Sequence, residues 1–230
     1  FLRAYNEEEI VVFDTETTGL NVFQDDIIEI AAIRIKGGEV VGEPLDLYIE
    51  TDKPISPMLG DKENPMYAIY HEKMSTGELL SPFDALQRFL AYVGTSPILG
   101  HNANYDYNIL DNNLQRYCND TMQAHDIRCV DSLKLIRLLA PSLHSYKLES
   151  LLETFRLAGV NSHQAIDDVK ATVSLVRLCA EKAREKQAQQ VAFIHHPKVK
   201  PFANVLRSNY GERYREAVNR LYKLSTDHEP

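Results

Sequence analysis

Residues 11–20 read VVFDTETTGL: an apolar run, Val11, Val12 and Phe13, ends in two carboxylates, Asp14 and Glu16, one threonine apart. Valine and phenylalanine favour a pleated, buried strand. Residues i and i+2 of a strand share a face, so Asp14 and Glu16 project in parallel from the end of a buried element. Two like charges held side by side are costly unless a cation lies between them. No Lys or Arg occurs from Ala4 through Ile33 to supply one locally.

The same problem recurs twice. In ILGHNANYDYNIL, residues 98–110, a short strand runs into a helix whose first turn carries Asp106. At 100° per residue Asp106 shares the apolar stripe of Ile109, Leu110, Asn113 and Tyr117. In NSHQAIDDVKATVSLVRL, residues 161–178, the core-facing arc is set by Ala165, Val169, Thr172, Val173 and Val176. Asp168 falls beside that arc, next to Leu175 and Cys179, whereas Asp167 falls on the polar face with Ser174. His163 belongs in the loop or cap before this helix, free to turn toward Asp168. Asp14, Glu16, Asp106 and Asp168 thus sit at strand ends or on apolar helix faces without neighbouring cations. Hard, oxygen-ligated ions such as Mg²⁺ or Mn²⁺ resolve the charge, and a histidine titrating near neutrality is suited to deprotonating a water beside them.

The elements around these stretches give the fold class. Ile10–Asp14, Ile27–Ile35 and Val40–Ile49 read as a three-stranded meander, the last two strands joined at Gly37–Gly38. An irregular stretch follows from Thr51 to Pro65. Ser81–Pro82 opens a helix that closes at Gly94. Next come a strand at Pro97–His101, a helix at Tyr105–Tyr117, a strand at Ile127–Val130, and helices at Ser132–Leu139, Leu148–Leu157 and from Gln164 into the 180s. A meander followed by alternating strands and helices is an α/β sandwich with a mixed sheet.

At 230 residues, 44% hydrophobic and 25% charged, the composition is that of a globular chain. Apolar runs fall far short of the roughly 20 residues that span a bilayer, and no signal segment opens the sequence, so a cytoplasmic protein with no membrane partner is expected. Cys118, Cys129 and Cys179 form no CxxC pair and are expected as buried free thiols. The net charge of −8 argues against a simple electrostatic grip on nucleic acid. The charge is uneven: residues 181–230 carry ten Lys or Arg against six Asp or Glu, leaving −12 on residues 1–180. That basic tail is either a solvated face or a phosphate track. His195 and His196 are expected at the surface.

Taken together, the three acidic stretches resemble the DEDDh, or DnaQ-like, family of 3′-to-5′ exonucleases, which includes the proofreading subunit of bacterial DNA polymerase III. FDTETTGL is similar to its first motif, HNANYDYNIL to its second and HQAIDD to its third. The likeness covers about Glu9 to Ala180. It implies a ribonuclease H-like three-layer α/β fold with a five-stranded mixed sheet of order 3-2-1-4-5, over residues 1–185, plus a C-terminal helical extension, residues 186–230. It implies two divalent metal ions, Mg²⁺ or Mn²⁺, held by Asp14, Glu16, Asp106 and Asp168. Asp14 would bridge both ions and His163 would act as general base. Thr15, Gly19, Leu20 and Asn102 are expected around the 3′-terminal nucleotide. The expected substrate is nucleic acid with a free 3′ end, DNA ahead of RNA; a protein partner could use the extension. An exoribonuclease, a phosphoesterase of small nucleotides and a non-catalytic nucleic-acid-binding module are the competing readings.

Overall fold

The computed structural model describes residues 1–195 except 60 and 161, with backbone alone at 59 and 190–195. The chain divides into two compact units, Phe1–Ala180 and Glu181–Pro230. His196 and the side chain of His195 lie outside the described residues.

The first unit is built on a mixed sheet. Strand β1 (Ile10–Thr17) pairs antiparallel with β2 (Ile27–Lys36) and parallel with β7 (Ile98–Gly100), which pairs parallel with β8 (Cys129–Asp131). The expected third strand is broken in two, β3 (Glu39–Val40) and β4 (Leu45–Tyr48), both antiparallel to β2. Gly42 takes a left-handed φ of 73° and Pro44 has no N–H to donate, so the ladder is interrupted between them. With β3 and β4 counted as one strand, the order is the expected 3-2-1-4-5. Gly37 and Gly38, at φ 59° and 86°, make the tight hairpin turn.

Alternation along β1 sorts its residues between two cores. Val11 and Phe13 pack with Phe89 of helix α3 (Pro82–Val93) and with Ile109 and Leu110 of α4 (Asn104–Cys118). Ile10 and Val12 pack with Val169, Val173 and Val176 of α7 (Ala165–His195). Each such buried side chain contributes about 1.5–3 kcal/mol, so the central strand is anchored on both faces. Helices α5 (Ser132–Leu139) and α6 (Leu148–Phe155) complete a further cluster against α7 through Ile136, Leu151 and Leu175.

Four elements depart from expectation. Helix α1 (Leu2–Glu7) precedes the sheet, and helix α2 (Pro65–Thr76) follows the irregular stretch. The caps of α2 are plain: the Asn64 side chain accepts the Met66 amide, Pro65 opens the helix and Gly77 ends it at φ 72°. Only Met66 and Tyr70 of α2 are buried, so no apolar stripe announces it. The stretch before it holds a small hairpin, β5 (Met58–Leu59) with β6 (Lys62–Glu63). Ser81 caps α3 as expected, accepting the Asp84 amide. Of the cysteines, all free, only Cys179 is buried; Cys129 on the edge strand β8 is exposed. No described helix is long and apolar enough to cross a membrane.

Candidate active site

The site forms where β1 outruns its parallel neighbour. β1 pairs with β7 only through Val11 and Val12, but continues beside β2 to Thr17. Asp14 and Glu16 lie on the face that Ile10 and Val12 turn toward α7, as the two-residue period requires. Thr15 faces the other way and donates its hydroxyl to Asp106 Oδ1 at 2.6 Å. One threonine thereby ties the first acidic stretch to the first turn of α4.

The third stretch approaches from α7. His163 is exposed and sits before the helix on a left-handed backbone, φ 57°. One ligand atom each from Glu16, His163 and Asp168 lie within 4.8 Å of one another. The adjacent aspartates separate as expected. Asp168 is buried, 8% exposed, and accepts the Ser162 amide, whereas Asp167 pairs with Lys170 at 3.0 Å on the polar side.

Glu29 belongs to this assembly and was not foreseen. It stands opposite Glu16 in the β1–β2 register and has no solvent exposure. Its carboxyl accepts the amides of Ala165 at 3.1 Å and Ile166 at 3.4 Å, the first residues of α7. Those amides have no intrahelical partner, so a strand side chain caps the helix. Desolvation, with the charge of Asp46 on β4 beside it, raises the Glu29 carboxyl to about 8, against the Ala165 and Ile166 amides. The signal was an acid inside the apolar run IIEIAAI.

Among the described residues, Asp14, Glu16, Asp106 and Asp168 form no ion pair with Lys or Arg. Desolvation, then the charges of Asp106 and Glu16, push the Asp14 carboxyl well above its ordinary value. Desolvation and Glu29 raise Glu16 to about 9. Desolvation raises Asp168 to about 7 and Asp106 to about 6, the latter against the Thr15 hydrogen bond.

These shifts fix a sign. The folded protein holds protons that the unfolded chain has released, so without metal its stability declines as pH rises from near 4 toward 9. Divalent ions held by these carboxylates would compete with those protons and would bind more tightly as pH rises. In EDTA the melting temperature is therefore expected to fall between pH 6 and 9, and the increment from added Mn²⁺ to grow over the same range. Scanning calorimetry at both pH values checks this; a metal increment that shrinks with pH contradicts it.

The loop after β1 is pinned. Tyr105 donates its phenol to the Gly19 carbonyl at 2.6 Å, and Thr17 donates its hydroxyl to the same oxygen at 2.8 Å. A Cβ on Gly19 would stand 2.7 Å from Asp25 Oδ2, so any larger residue here would push the Asp25 carboxyl away from Thr18 and Asn21. Further along, Asp26 is held by Lys53, Arg116, Tyr117 and Thr51. This fixed loop presents Leu20, 90% exposed, and Phe23, 75% exposed. Phe23 was not singled out by the sequence, which shows apolar character but not exposure. Asn102, at φ 61°, donates its amide to Asp131 and lines a cleft of about 670 Å³ with Asp14, His163 and Asp168.

A profile of the RNase T type, described as exonuclease, matches residues 11–176. Among curated proteins, the chain is 30% identical over 189 residues to a "DNA polymerase III PolC-type" of Caldanaerobacter subterraneus subsp. tengcongensis, covering 82% of this chain and 13% of that protein. It is 29% identical over 231 residues to the protein of that name from Thermotoga maritima, covering 97% of this chain and 16% of that protein. The chain therefore spans less than a fifth of these relatives' length. Among solved structures, Escherichia coli exonuclease I in complex with a dT13 oligonucleotide superposes with a TM-score of 0.63 at 23% identity, over 86% of this chain and 46% of that one. Exonuclease X in complex with 5′ overhanging duplex DNA superposes with a TM-score of 0.53 at 25% identity, over 75% of this chain and 91% of that one. With the profile match running from β1 into α7 and all three acidic stretches inside it, the chain belongs to the RNase T-type, DnaQ-like exonuclease family.

Proposed function

We propose that residues 1–185 form a metal-dependent 3′-to-5′ exonuclease that releases nucleoside 5′-monophosphates from single-stranded DNA. The observation that carries this reading is the convergence of Asp14, Glu16, Asp106, His163 and Asp168, from three separate segments, without a compensating cation. DNA is favoured over RNA by the polymerase relatives and by the DNA complexes of the structural neighbours. The same relatives make a proofreading module of a longer polymerase the reading of its setting, in the cytoplasm. The extension expected at residues 186–230 would offer its basic charge to substrate or to a protein partner.

Four carboxylates and one imidazole are a donor set for a hard divalent cation. Asp14, Glu16, Asp106 and Asp168 would hold two ions, Mg²⁺ or Mn²⁺. Ions bound there would activate a water and neutralise charge on the phosphate and the leaving oxygen. His163, exposed beside the acids, accepts the proton as the water oxygen bonds to phosphorus and the bond to the 3′-oxygen breaks, the departing 3′-oxygen taking a proton from solvent. Leu20 packs against the terminal base and Gly19 lets backbone approach it, while the Thr15 hydroxyl holds Asp106. Asn102, which lines the cleft with Asp14, reaches the nucleotide from within it. Glu29 positions the chemistry without touching it, because it sets where α7 begins and hence where His163 and Asp168 stand.

The reading is tested on matched single-stranded DNA and RNA labelled at the 5′ end. A ladder shortening from the 3′ end, with deoxynucleoside 5′-monophosphates as product, is expected; faster loss of RNA would transfer the proposal to an exoribonuclease. Asp168→Ala should abolish the ladder while Asp167→Ala, which breaks a surface pair with Lys170 and a hydrogen bond from the Ser162 hydroxyl, leaves turnover within a fewfold. Equal losses would show that the two side chains do not differ in role. Glu29→Ala should lower turnover by roughly 10–100-fold, the scale of groups that orient metal ligands. Glu29→Gln, which keeps an acceptor for the Ala165 amide, should recover most of it; a glutamine variant as poor as the alanine one would remove the capping role.

A further inference from the structure

The cleft lined by Asp14, His163 and Asp168 is lined by three cations as well, a basic rim in a body that is otherwise acidic. Lys62 enters from the β5–β6 hairpin, Arg137 from α5 and Lys147 from the residue that opens α6. All three are exposed, and among the described residues none forms an ion pair with a carboxylate. Residues 1–180 carry a net charge of −12, so three cations without acidic partners around one opening are not the background composition. Glu149, in the first turn of α6, is the acidic residue on that rim.

The wall carrying two of the cations is rigid. The Arg137 guanidinium lies over the Tyr146 ring, 5.3 Å from its centroid. Tyr146 is fixed at both ends: its phenol donates to the Ala140 carbonyl at 2.7 Å, and its own carbonyl lies 2.9 Å from His101 Nε2. A carbonyl can only accept, so His101 donates there, and its Nδ1, 2.9 Å from the Ser132 hydroxyl, accepts from it. Desolvation lowers the His101 pKa, in keeping with that neutral form. His101 directly follows β7, so the Tyr146–Lys147 segment is bolted to the end of the sheet.

We propose that this rim is a track for the nucleic-acid backbone, in which Lys62, Arg137 and Lys147 bind phosphates 5′ to the scissile one. The inference rests on the exonuclease reading of the acidic cluster and adds where the rest of the strand lies. A planar guanidinium held on an aromatic ring offers its fork to phosphate oxygens, while the two lysines act as point charges. The track lies within the exonuclease unit, so backbone binding does not require the basic tail at residues 181–230.

The test compares two substrates that share the reacting group, a thymidine 5′-phosphodiester. One is a 16-nucleotide single-stranded DNA; the other is thymidine 5′-monophosphate esterified with 4-nitrophenol, which has no upstream phosphate. Lys62→Ala, Arg137→Ala, Lys147→Ala and the triple variant are assayed on the full chain with Mn²⁺, beside Lys36→Ala as a control cation at the end of β2. Each rim substitution should raise KM for the 16-mer with kcat little changed, the triple variant most. The slope of log kcat/KM against log salt should shallow by about 0.7 per cation removed. Turnover of the aryl ester should be unaffected, as should both substrates in Lys36→Ala. A triple variant that keeps the wild-type KM and salt slope on the 16-mer, while wild type hydrolyses both substrates, overturns the track. Equal losses on the aryl ester and the 16-mer also overturn it, since the rim would then act on the reacting group. Hydrolysis of neither substrate by wild type overturns the exonuclease reading, and the track with it.

Discussion

Asp14→Asn is expected to lose more than the ~10⁴-fold in turnover that a single proton-transfer group supplies, and yet to melt at a higher temperature than wild type in EDTA. Both results follow from one fact. The Asp14 carboxyl is desolvated at the end of β1 and faces the charges of Asp106, Glu16, Asp168 and Glu29, which hold its pKa well above the ordinary value. Above neutrality, without metal, the folded state must ionise this group at a cost the unfolded chain does not bear. An amide of the same shape removes the cost and with it the negative ligand. Wild type at a metal concentration about 100 times Kd gains about 2.7 kcal/mol by linkage. For a domain of this size that is roughly 5–10 °C in Tm, and Asp14→Asn should lose most of it. Thermal melts with and without Mn²⁺, beside a turnover assay, read all three quantities. An asparagine variant less stable than wild type in EDTA would show that Asp14 is held by structural bonds and not strained by its neighbours.

His163→Ala should behave differently, lowering kcat by roughly 10²–10⁴-fold while keeping the metal-dependent rise in Tm. The imidazole stands in an exposed loop at φ 57°, and four carboxylates remain to bind cations without it. Near wild-type turnover would remove His163 from the chemistry. Loss of the metal-dependent rise would make it a ligand, a possibility its closeness to Glu16 and Asp168 leaves open to measurement. Differential scanning fluorimetry with a Mn²⁺ titration, paired with single-turnover kinetics, separates the two roles.

The parts of this site that were legible in the sequence share a cause. Asp14, Glu16, Asp106 and Asp168 each break an apolar pattern, and periodicity alone places them: two residues per repeat along β1, 3.6 along α4 and α7. The split between Asp167 and Asp168 is the clearest case, since one residue of helical rotation separates a surface ion pair from a buried carboxylate. What was not legible depended on pairing across the chain. Glu29 also interrupts an apolar strand, but its task is defined by the amides of Ala165 and Ile166, 136 and 137 residues away. Thr15 was expected near the substrate, and nothing local shows that its hydroxyl is committed to Asp106, 91 residues on. The basic rim escaped notice for the same reason, because Lys62, Arg137 and Lys147 are ordinary surface residues until three elements bring them to one cleft. Helix α2 carries clear caps but no apolar stripe to announce it, and Gly42 and Pro44 split a third strand whose β-forming residues lie on both sides of them.

The claim on which the rest depends is that the uncompensated carboxylates exist to hold divalent metal against a phosphate. Crystals of the wild-type chain soaked in Mn²⁺ and deoxythymidine 5′-monophosphate, with data collected at the manganese absorption edge, test it directly. Two anomalous peaks sharing Asp14, one also bounded by Glu16 and Asp168 and the other on the Asp106 side, with the phosphate beside them, are expected. Protein that degrades DNA yet shows no anomalous peak at Asp14, or binds manganese elsewhere, would contradict the metal-dependent mechanism.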